Sequence, residues 1–418
     1  MRESQPNKAS FDTHIVLEVA SEAGRVLLEN GAEISRVEET MERIASSYGV
    51  DNKDFFVLSN GIITTGDGYA KAQFIPIKGT QLSRVAEVNQ LSRDVSMGKY
   101  TPDALKKSLD AVRYSPAKGV IEQSLGIAFG TSSFSIIFGG SLLDAVATFA
   151  VGILLGLYMA LATPHMSRIF SNLLGGLLGG GLCIVASVLG LGQHLPNMII
   201  GTIIALVPGV PFTNGIRDLA NGDYIAGITR LADAFLVFLC IAIGVALGFI
   251  VEGRVSGGIM NLEQPAVDAF CSQWFVQVTA AFLGTVGFSV LFGAPSKHYI
   301  ACGLTGAIGW VVYLLSTRCL HLSLAESAFF SAFIIAAVSA LFAVWRRCPA
   351  TIFLVCGIIP LVPGGGIFWA SYYLVANQLR QAAVMGYMSL KITIAIALGI
   401  MAVGIIGSRI VQRNRTKR

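Results

Sequence analysis

The feature that most constrains this chain is a series of ten apolar runs between Val120 and residue 408. Each run is close to the roughly 20 residues that a helix needs to cross the hydrocarbon of a bilayer. Charged residues make up 13% of the 418 residues, whereas soluble domains carry about 25%. The runs predict a mainly α-helical membrane protein with transmembrane helices at about 121–139, 142–162, 169–190, 195–214, 228–250, 274–293, 298–316, 324–344, 350–375 and 386–408.

Residues 1–118 are more polar and precede the first apolar run. Apolar residues at helical spacing, β-rich stretches and turn residues alternate there, which is typical of a small α+β domain in water. The predicted elements are helices at 12–30, 33–48, 82–96 and 103–113, with short strands between the second and third of these helices.

Lys and Arg predict the orientation, because cytoplasmic loops are enriched in them. Ten spans place both termini on one side. The connections on that side carry Arg168, Arg217, Lys297 and Arg346, and the chain ends in a basic tail at 411–418. We therefore expect both termini in the cytoplasm. The net charge of +5 is explained by these loops and indicates no nucleic-acid partner.

Two short motifs recur within the apolar region. The segment FSIIFGG at 134–140 is similar to FSVLFGA at 288–294, and LVPG occurs at both 206–209 and 361–364. The spacing is nearly equal, so each repeat holds five spans, and an odd number predicts inverted topology. The predicted parts are a cytoplasmic domain at 1–118, a first repeat at 119–251, an external linker at 252–273, a second repeat at 274–410 and a basic tail at 411–418.

The fourth and ninth spans are interrupted by proline and glycine. Proline has no backbone N–H and clashes with the preceding turn, so both spans should be discontinuous helices. Such breaks must be buried in protein or line a wet cavity, and matching breaks in two repeats point to a midplane substrate site. Proline kinks that only shape the bundle are the alternative. The candidate substrate-binding residues are Pro208, Gly209, Pro211, Thr213, Asn214, Pro363, Gly364, Gly365 and Gly366.

Ionisable residues near the apolar runs are candidates for proton coupling, because charge at membrane depth is costly and is often functional. Arg230 and Asp233 are three residues apart on a helix and are expected to pair. Asp233 then enters an apolar run, which makes it the leading proton carrier. The full set for proton coupling or ion pairing is Asp233, Arg230, Asp223, Arg217, Asp218, Asp144 and Glu326.

Enzyme motifs are lacking. The sequence has no P-loop, no His-Glu-x-x-His and no Gly-x-Ser-x-Gly, and its five histidines lack ligand spacing. We expect no enzyme activity, no cofactor and no metal. Transport would therefore be driven by an ion gradient, most simply of protons.

Three segments resemble the bacterial threonine/serine exporter family: GAEISRVEETMERIASSYGV at 31–50, SNGIITTGDG at 59–68 and VPGVPFTNGIRDLANGDYIAGITRLADAF at 207–235. The second half, with LVPGGGIFW, resembles the separate small-subunit partner of enterobacterial dicarboxylate-exporting relatives. The resemblance covers about 12–408. It implies proton-motive-force-dependent efflux of threonine and serine across the bacterial inner membrane by alternating access.

Other functions stay open. The split relatives imply dicarboxylate export, succinate in particular. The family's N-terminal domain has been compared with hydrolases, and Glu33, Arg36 and Glu38 are the matching polar positions here; a solvated helix face or a docking surface is the alternative for them. A membrane-anchored hydrolase and a passive channel are further alternatives. The oligomeric state also stays open, with a homo-oligomer as one alternative.

Overall fold

The computed structural model describes residues 11–76, 79–256 and 268–415, with side chains described except at 256 and 406–415. The chain is mainly helical with one three-stranded sheet. It divides into two compact units. The first comprises the residues up to Ala117 together with Asn214–Arg230, and the second comprises Lys118–Thr213 and the residues from Leu231 onward.

The first unit contains the α+β domain that the sequence predicts. Its elements are α1 (Thr13–Glu29), α2 (Ile34–Ser47), β1 (Lys53–Leu58), β2 (Gly61–Gly66), β3 (Tyr69–Phe74), α3 (Leu82–Ser96) and α4 (Pro102–Arg113). The strands form an antiparallel meander in the order β1-β2-β3, with Leu58 opposite Gly61 and Gly66 opposite Tyr69. Asp12 caps α1 by accepting a hydrogen bond from the backbone N–H of His14 at 2.9 Å, because its carboxylate supplies the acceptor that a helix start lacks.

Helix α1 forms the centre of this unit. Its buried face includes Val16, Leu17 and Leu27, none of which has exposed surface. The Ser21 and Thr64 hydroxyls are also buried and lie 2.8 Å apart, which joins α1 to β2 through a satisfied polar contact. The core of the first unit extends to Ala226, so residues 214–230 contribute to it.

The membrane helices follow. They are α5 (Val120–Ile137), α6 (Leu142–Leu161), α7 (Arg168–Val188), α8 (Leu195–Ile203), α9 (Gly209–Asn221), α10 (Tyr224–Ser256), α11 (Trp274–Leu291), α12 (Tyr299–Leu314), α13 (Leu324–Arg346), α14 (Thr351–Ile358), α15 (Gly364–Val375) and α16 (Leu379–Arg415). Among the described residues, eight helices are long and apolar enough to cross a membrane, or up to ten if each of two bent helix pairs is one span.

Two predicted domain boundaries fall inside helices. Helix α10 continues to Ser256, so the predicted linker at 252–273 begins inside a helix. Helix α16 continues to Arg415, so most of the predicted tail at 411–418 is helical. In both cases the backbone continues beyond the apolar run, because helix formation does not require apolar residues. Residues 257–267 of the linker lie outside the described residues.

The order of elements in residues 120–256 recurs in residues 274–415. Helices α5 and α11 both end in a glycine of positive φ, Gly139 at 98° and Gly293 at 61°. They pack on each other through Phe134 and Phe288, whose ring centroids are 5.1 Å apart. A Cβ at Gly126 would lie 2.8 Å from Val290, and one at Gly284 would lie 2.8 Å from Phe134. Later residues of α5 therefore contact earlier residues of α11, so these two helices are antiparallel.

Candidate functional site

The first break lies between α8 and α9. A 3₁₀ turn at Ile204–Leu206 ends α8, and Val207 is extended, with φ −60° and ψ 129°. Helix α9 resumes at Gly209, bent by 63° from the segment before it. Pro208 explains the break, because it has no N–H to continue the helix ladder and restricts the residue before it.

The second break repeats this backbone between α14 and α15. A 3₁₀ turn at Ile359–Leu361 is followed by Val362 with φ −61° and ψ 129°. Helix α15 begins at Gly364, and the bend is 44°. The N-cap residue Pro363 makes no side-chain hydrogen bond to the helix. Backbone N–H groups at the start of α15 therefore have no side-chain cap, which leaves donors for another acceptor.

The two breaks lie side by side in the second unit. A Cβ at Gly209 would lie 2.6 Å from the Cδ1 of Ile359, and a Cβ at Gly364 would lie 3.1 Å from the Cδ1 of Ile204. Each glycine thus faces the 3₁₀ turn of the other break. Equivalent residues make equivalent contacts, as expected of two repeats related by an approximate two-fold axis.

A cavity of about 480 Å³ adjoins the second break. Its walls include Pro363, Gly365 and Gly366 of the predicted substrate-binding set, whereas no predicted residue of the first break lines it. The other lining residues are Ile137, Phe138, Gly139, Gln277, Trp310, Tyr313, Leu314, Thr317, Arg318, Leu324, Pro360, Leu361, Val362 and Ile392. The cavity is therefore built mainly by the second repeat, with a contribution from the end of α5.

The sequence analysis missed five polar lining residues, which are Gln277, Trp310, Tyr313, Thr317 and Arg318. The Gln277 amide nitrogen donates to the carbonyls of Ile136 at 3.0 Å and Cys271 at 2.8 Å, and its oxygen accepts from the Trp310 indole at 3.0 Å. Tyr313 stacks on Trp310 with ring centroids 4.9 Å apart. A lone glutamine inside the apolar run 274–293 was the available signal.

The predicted pair between Arg230 and Asp233 is wrong. The Arg230 guanidinium instead binds Asp218 at 2.8 Å, and both side chains are buried. Asp233 binds Arg168 at 2.7 Å, and its side chain is 36% exposed. Spacing along one helix predicts neighbours on that helix only. The αL residue Gly222, with φ 94°, connects α9 to α10 and allows the longer-range pair to form.

The polar residues after the first break bond to protein groups. The Thr213 hydroxyl donates to the Gly209 carbonyl at 2.7 Å, in its own helix. The Asn214 amide donates to the Gly31 carbonyl at 2.6 Å, and the Arg217 guanidinium lies 2.8 Å from the Glu33 carboxylate. The substrate-binding role of Thr213 and Asn214 stays a prediction, and Arg217, predicted for proton coupling or ion pairing, forms an ion pair with Glu33.

Asp144 is fully buried at the start of α6. Its carboxylate accepts from the backbone and hydroxyl of Ser141, from the backbone of Gln193, and from the backbone of His194 at 3.0 Å. The Nδ1 of the His194 ring lies 2.7 Å from the same carboxylate. Asp144 closes a capping box with Ser141, and Glu326 closes the same kind of box with Ser323 at the start of α13, but Glu326 is exposed. Asp144 lies within hydrogen-bond distance of a titratable ring, that of His194.

Among the residues that the structure describes, no three His, Cys, Asp or Glu side chains are grouped so as to hold a metal ion. The polar groups near the cavity that keep hydrogen-bonding capacity are the Gln277 side-chain oxygen, the Tyr313 phenol, the Arg318 guanidinium and uncapped backbone N–H groups. These groups can hold a small polar solute by hydrogen bonds.

An array of apolar helices with two paired discontinuous helices beside a largely apolar cavity that carries a few polar groups is the architecture of a multi-pass membrane transporter. Residues 18–251 match the profile of the family described as "Putative threonine/serine exporter", and residues 277–406 match the profile described as "Threonine/Serine exporter, ThrE". The chain belongs to the threonine/serine exporter family.

Individual relatives agree with the two profiles. The threonine/serine exporter of Corynebacterium glutamicum is 24% identical over 96% of this chain and 83% of its own length. The probable threonine/serine exporter of Mycobacterium tuberculosis is 22% identical over 95% and 77%. The "Probable succinate transporter subunit YjjP" of Klebsiella aerogenes is 25% identical over 54% of this chain and 90% of its own length. No solved structure matches the chain.

Proposed function

We propose that this protein exports threonine and serine across a bacterial inner membrane, driven by the proton motive force, with both termini in the cytoplasm. Its relatives that span nearly the whole chain are named threonine/serine exporters. The observation that carries the proposal is the meeting of two discontinuous helices at Gly209 and Gly364, next to a cavity of about 480 Å³. That volume lies within the range of about 300–1,000 Å³ that small-ligand sites occupy.

The substrate carboxylate would bind at the start of α15. The backbone N–H groups of Gly365 and Gly366 lie at a helix N-terminus that lacks a side-chain cap, and both glycines line the cavity. The partial positive charge of a helix N-terminus favours an anion there. Glycine has no side chain to keep a ligand away from the backbone. Gln277 and Tyr313 would then contact the polar side of the solute.

Alternating access would result from two inverted repeats that rock about the breaks. The repeated element order, the antiparallel contact of α5 with α11 and the reciprocal contacts of Gly209 and Gly364 support this arrangement. A pair of repeats with opposite orientation can exchange conformations, which opens the site to one side and then to the other.

Proton coupling would involve Asp144 with His194. A buried carboxylate 2.7 Å from an imidazole nitrogen can pass a proton between the two groups as the loop before α8 moves. Asp233 stays a candidate, and its partner Arg168 gives it a second role as a surface ion pair. The two candidates predict different mutant behaviour.

Reconstitution into liposomes tests the proposal. Counterflow of threonine, serine and succinate would be measured with and without a pH gradient. We expect threonine and serine to exchange and their uphill flux to vanish with a protonophore. Asp144→Asn should abolish gradient-driven flux while exchange persists, because exchange needs no net proton movement. The same pattern in Asp233→Asn alone would assign coupling to Asp233, and equal loss of both modes would reject a proton-carrier role.

Succinate is the second candidate substrate. The succinate transporter subunits of K. aerogenes and of Escherichia coli K12 match 54% and 57% of this chain. Succinate exchange without threonine exchange in the same liposomes would replace the amino-acid assignment.

A further inference from the structure

Residues 31–38, which we call the clasp, hold the polar segment 214–230 that follows the first break, within the first unit. Three backbone groups of the clasp bind this segment. The Gly31 carbonyl accepts from the Asn214 amide at 2.6 Å, and the Ala32 carbonyl accepts from the Arg230 guanidinium at 2.9 Å. The Ile34 N–H donates to the Asp218 carboxylate at 3.1 Å. Two side-chain contacts add to these, between Glu33 and Arg217 at 2.8 Å and between Ser35 and Asn221 at 3.0 Å.

These contacts complete helix α2 from outside. The N-cap residue Glu33 makes no side-chain cap bond, and Asp218 from α9 accepts from the first N–H of α2 instead. Water can replace such an acceptor at a helix start, since the first N–H groups of any helix have no partner within it. The clasp can therefore leave α9 without unwinding α2.

The chemistry of the contact favours release over permanent attachment. Its direct bonds are hydrogen bonds and buried ion pairs, next to the apolar core that Ile34, Val37 and Ala226 share. Buried ion pairs add little net stability once the cost of desolvation is subtracted. The side-chain oxygen Oδ1 of Asn214 is buried and accepts no hydrogen bond from the described residues. A contact that leaves such a group unsatisfied is not optimised for a static structure.

Like charges lie close together at the far end of the clasp. Burial raises the pKa of the Glu38 carboxyl, and the nearby Asp223 carboxylate raises it further, against a backbone hydrogen bond from Val57 that lowers it. Burial also raises the pKa of Asp223, which Arg230 partly offsets. Repulsion between these carboxylates opposes the docked arrangement.

Helix α9 connects the clasp to the break. It begins at Gly209, directly after the break, and runs without interruption to Asn221. The clasp residues bind positions 214, 217, 218 and 221 of this same helix. The second half of α9 is therefore held to residues 31–35 at four positions, all within the first unit.

We propose that the clasp is a releasable latch on α9, and that each export cycle requires its release. This inference rests on the proposed transport function and adds a role for the N-terminal domain as the gatekeeper of the first broken helix. While the latch is closed, the second half of α9 stays bound to residues 31–35. When it opens, α9 is free to reorient.

A reversible cross-link tests the latch in the full chain. The Ser35→Cys/Asn221→Cys pair replaces side chains whose polar atoms are 3.0 Å apart, and oxidation would close the latch. The Ser47→Cys/Ser96→Cys pair is the matched control, since it joins α2 to α3 across 3.1 Å without touching residues 214–230. In liposomes, we expect threonine counterflow to fall about tenfold or more on oxidation of the first pair and to return on reduction, because gating would limit turnover. The control pair should transport normally in both states.

The outcomes are distinct. Normal flux in the oxidised Ser35→Cys/Asn221→Cys protein would overturn the latch. Absence of flux from the unmodified protein would instead contradict the proposed substrates. Hydrogen exchange then decides the latch without transport. A latch exposes the Ile34 N–H far faster than the α1 core, and oxidation slows that exchange. Equal protection of both regions would overturn it.

Discussion

The two broken helices share a backbone and differ in their surroundings. Val207 and Val362 have nearly the same dihedral angles, and each is followed by proline and glycine. After the first break come Thr213, Asn214, Arg217 and Asp218, which bond to their own helix or to residues 31–34. After the second break come Phe368, Trp369, Tyr372 and Tyr373, which form an aromatic cluster.

The same broken backbone thus occurs in two different settings. Each break depends on its own proline and glycine, which both segments have. The side chains beyond the breaks differ. After the first break they bind residues 31–34 within the first unit, and beside the start of α15 at the second break lies the cavity.

The largest effect is expected at the buried ion pair between Arg230 and Asp218, which lie beyond the first break. Arg230→Met leaves the Asp218 carboxylate buried without its partner, which costs about 3–5 kcal/mol. Asp233→Asn breaks the exposed pair with Arg168 instead, at a cost of about 1 kcal/mol or less. Thermal unfolding of the purified protein would measure both. Equal, small shifts in the unfolding temperature of the two variants would show that the pair of Arg230 and Asp218 does not stabilise the fold. Combining Arg230→Met with Asp218→Asn should restore part of the loss.

The next effect concerns the contact between the breaks. Gly209→Leu and Gly364→Leu place side chains against Ile359 and Ile204, where a Cβ alone is already crowded. We expect both variants to lose exchange and gradient-driven flux together. Gly181→Leu is the control, because nothing lies within 4 Å of its added Cβ. If either break variant transports at the rate of the Gly181→Leu control, the breaks do not form the solute site.

A smaller effect is expected within the cavity. Gln277→Leu removes an amide that lines the cavity and positions Trp310, and the loss of one hydrogen bond to a charged solute raises KM by roughly tenfold. Counterflow at varied threonine concentration would show this change. Gln273→Leu, at an exposed position in front of α11, should leave KM unchanged. A fall in maximal rate with constant KM would argue against solute contact at Gln277.

The smallest effect is a pH dependence in the first unit. Because burial raises the pKa of Glu38, the folded state binds a proton more readily than the unfolded state. Stability contributed by this group is therefore lost as pH rises through the raised pKa. Glu38→Gln should slightly stabilise the protein at pH 7, with the gain fading as pH falls. Glu39→Gln loses pairs with Arg36 and Arg43 and should slightly destabilise it. Thermal unfolding of both variants at several pH values measures these effects. A Glu38→Gln protein that is less stable at pH 7 than the Glu39→Gln protein would contradict the prediction.

Local rules accounted for the breaks and for most helix positions. Proline and glycine act on their own backbone, so Pro208 and Pro363 announce their effect in the sequence. The partner of Arg230 could not be predicted this way, because it depends on the turn at Gly222 and on the Ala32 carbonyl nearly 200 positions away. The other polar residues of the cavity were missed for the same reason. Gln277, Trp310 and Gly365 meet only when three helices pack together.

An experimental structure with bound threonine tests the central claim most directly. We predict the solute beside Gly365 and Gly366, with its carboxylate at the start of α15 and the two breaks still in contact. Threonine held by residues 31–38 of the N-terminal domain instead, with the breaks separated, would contradict the account.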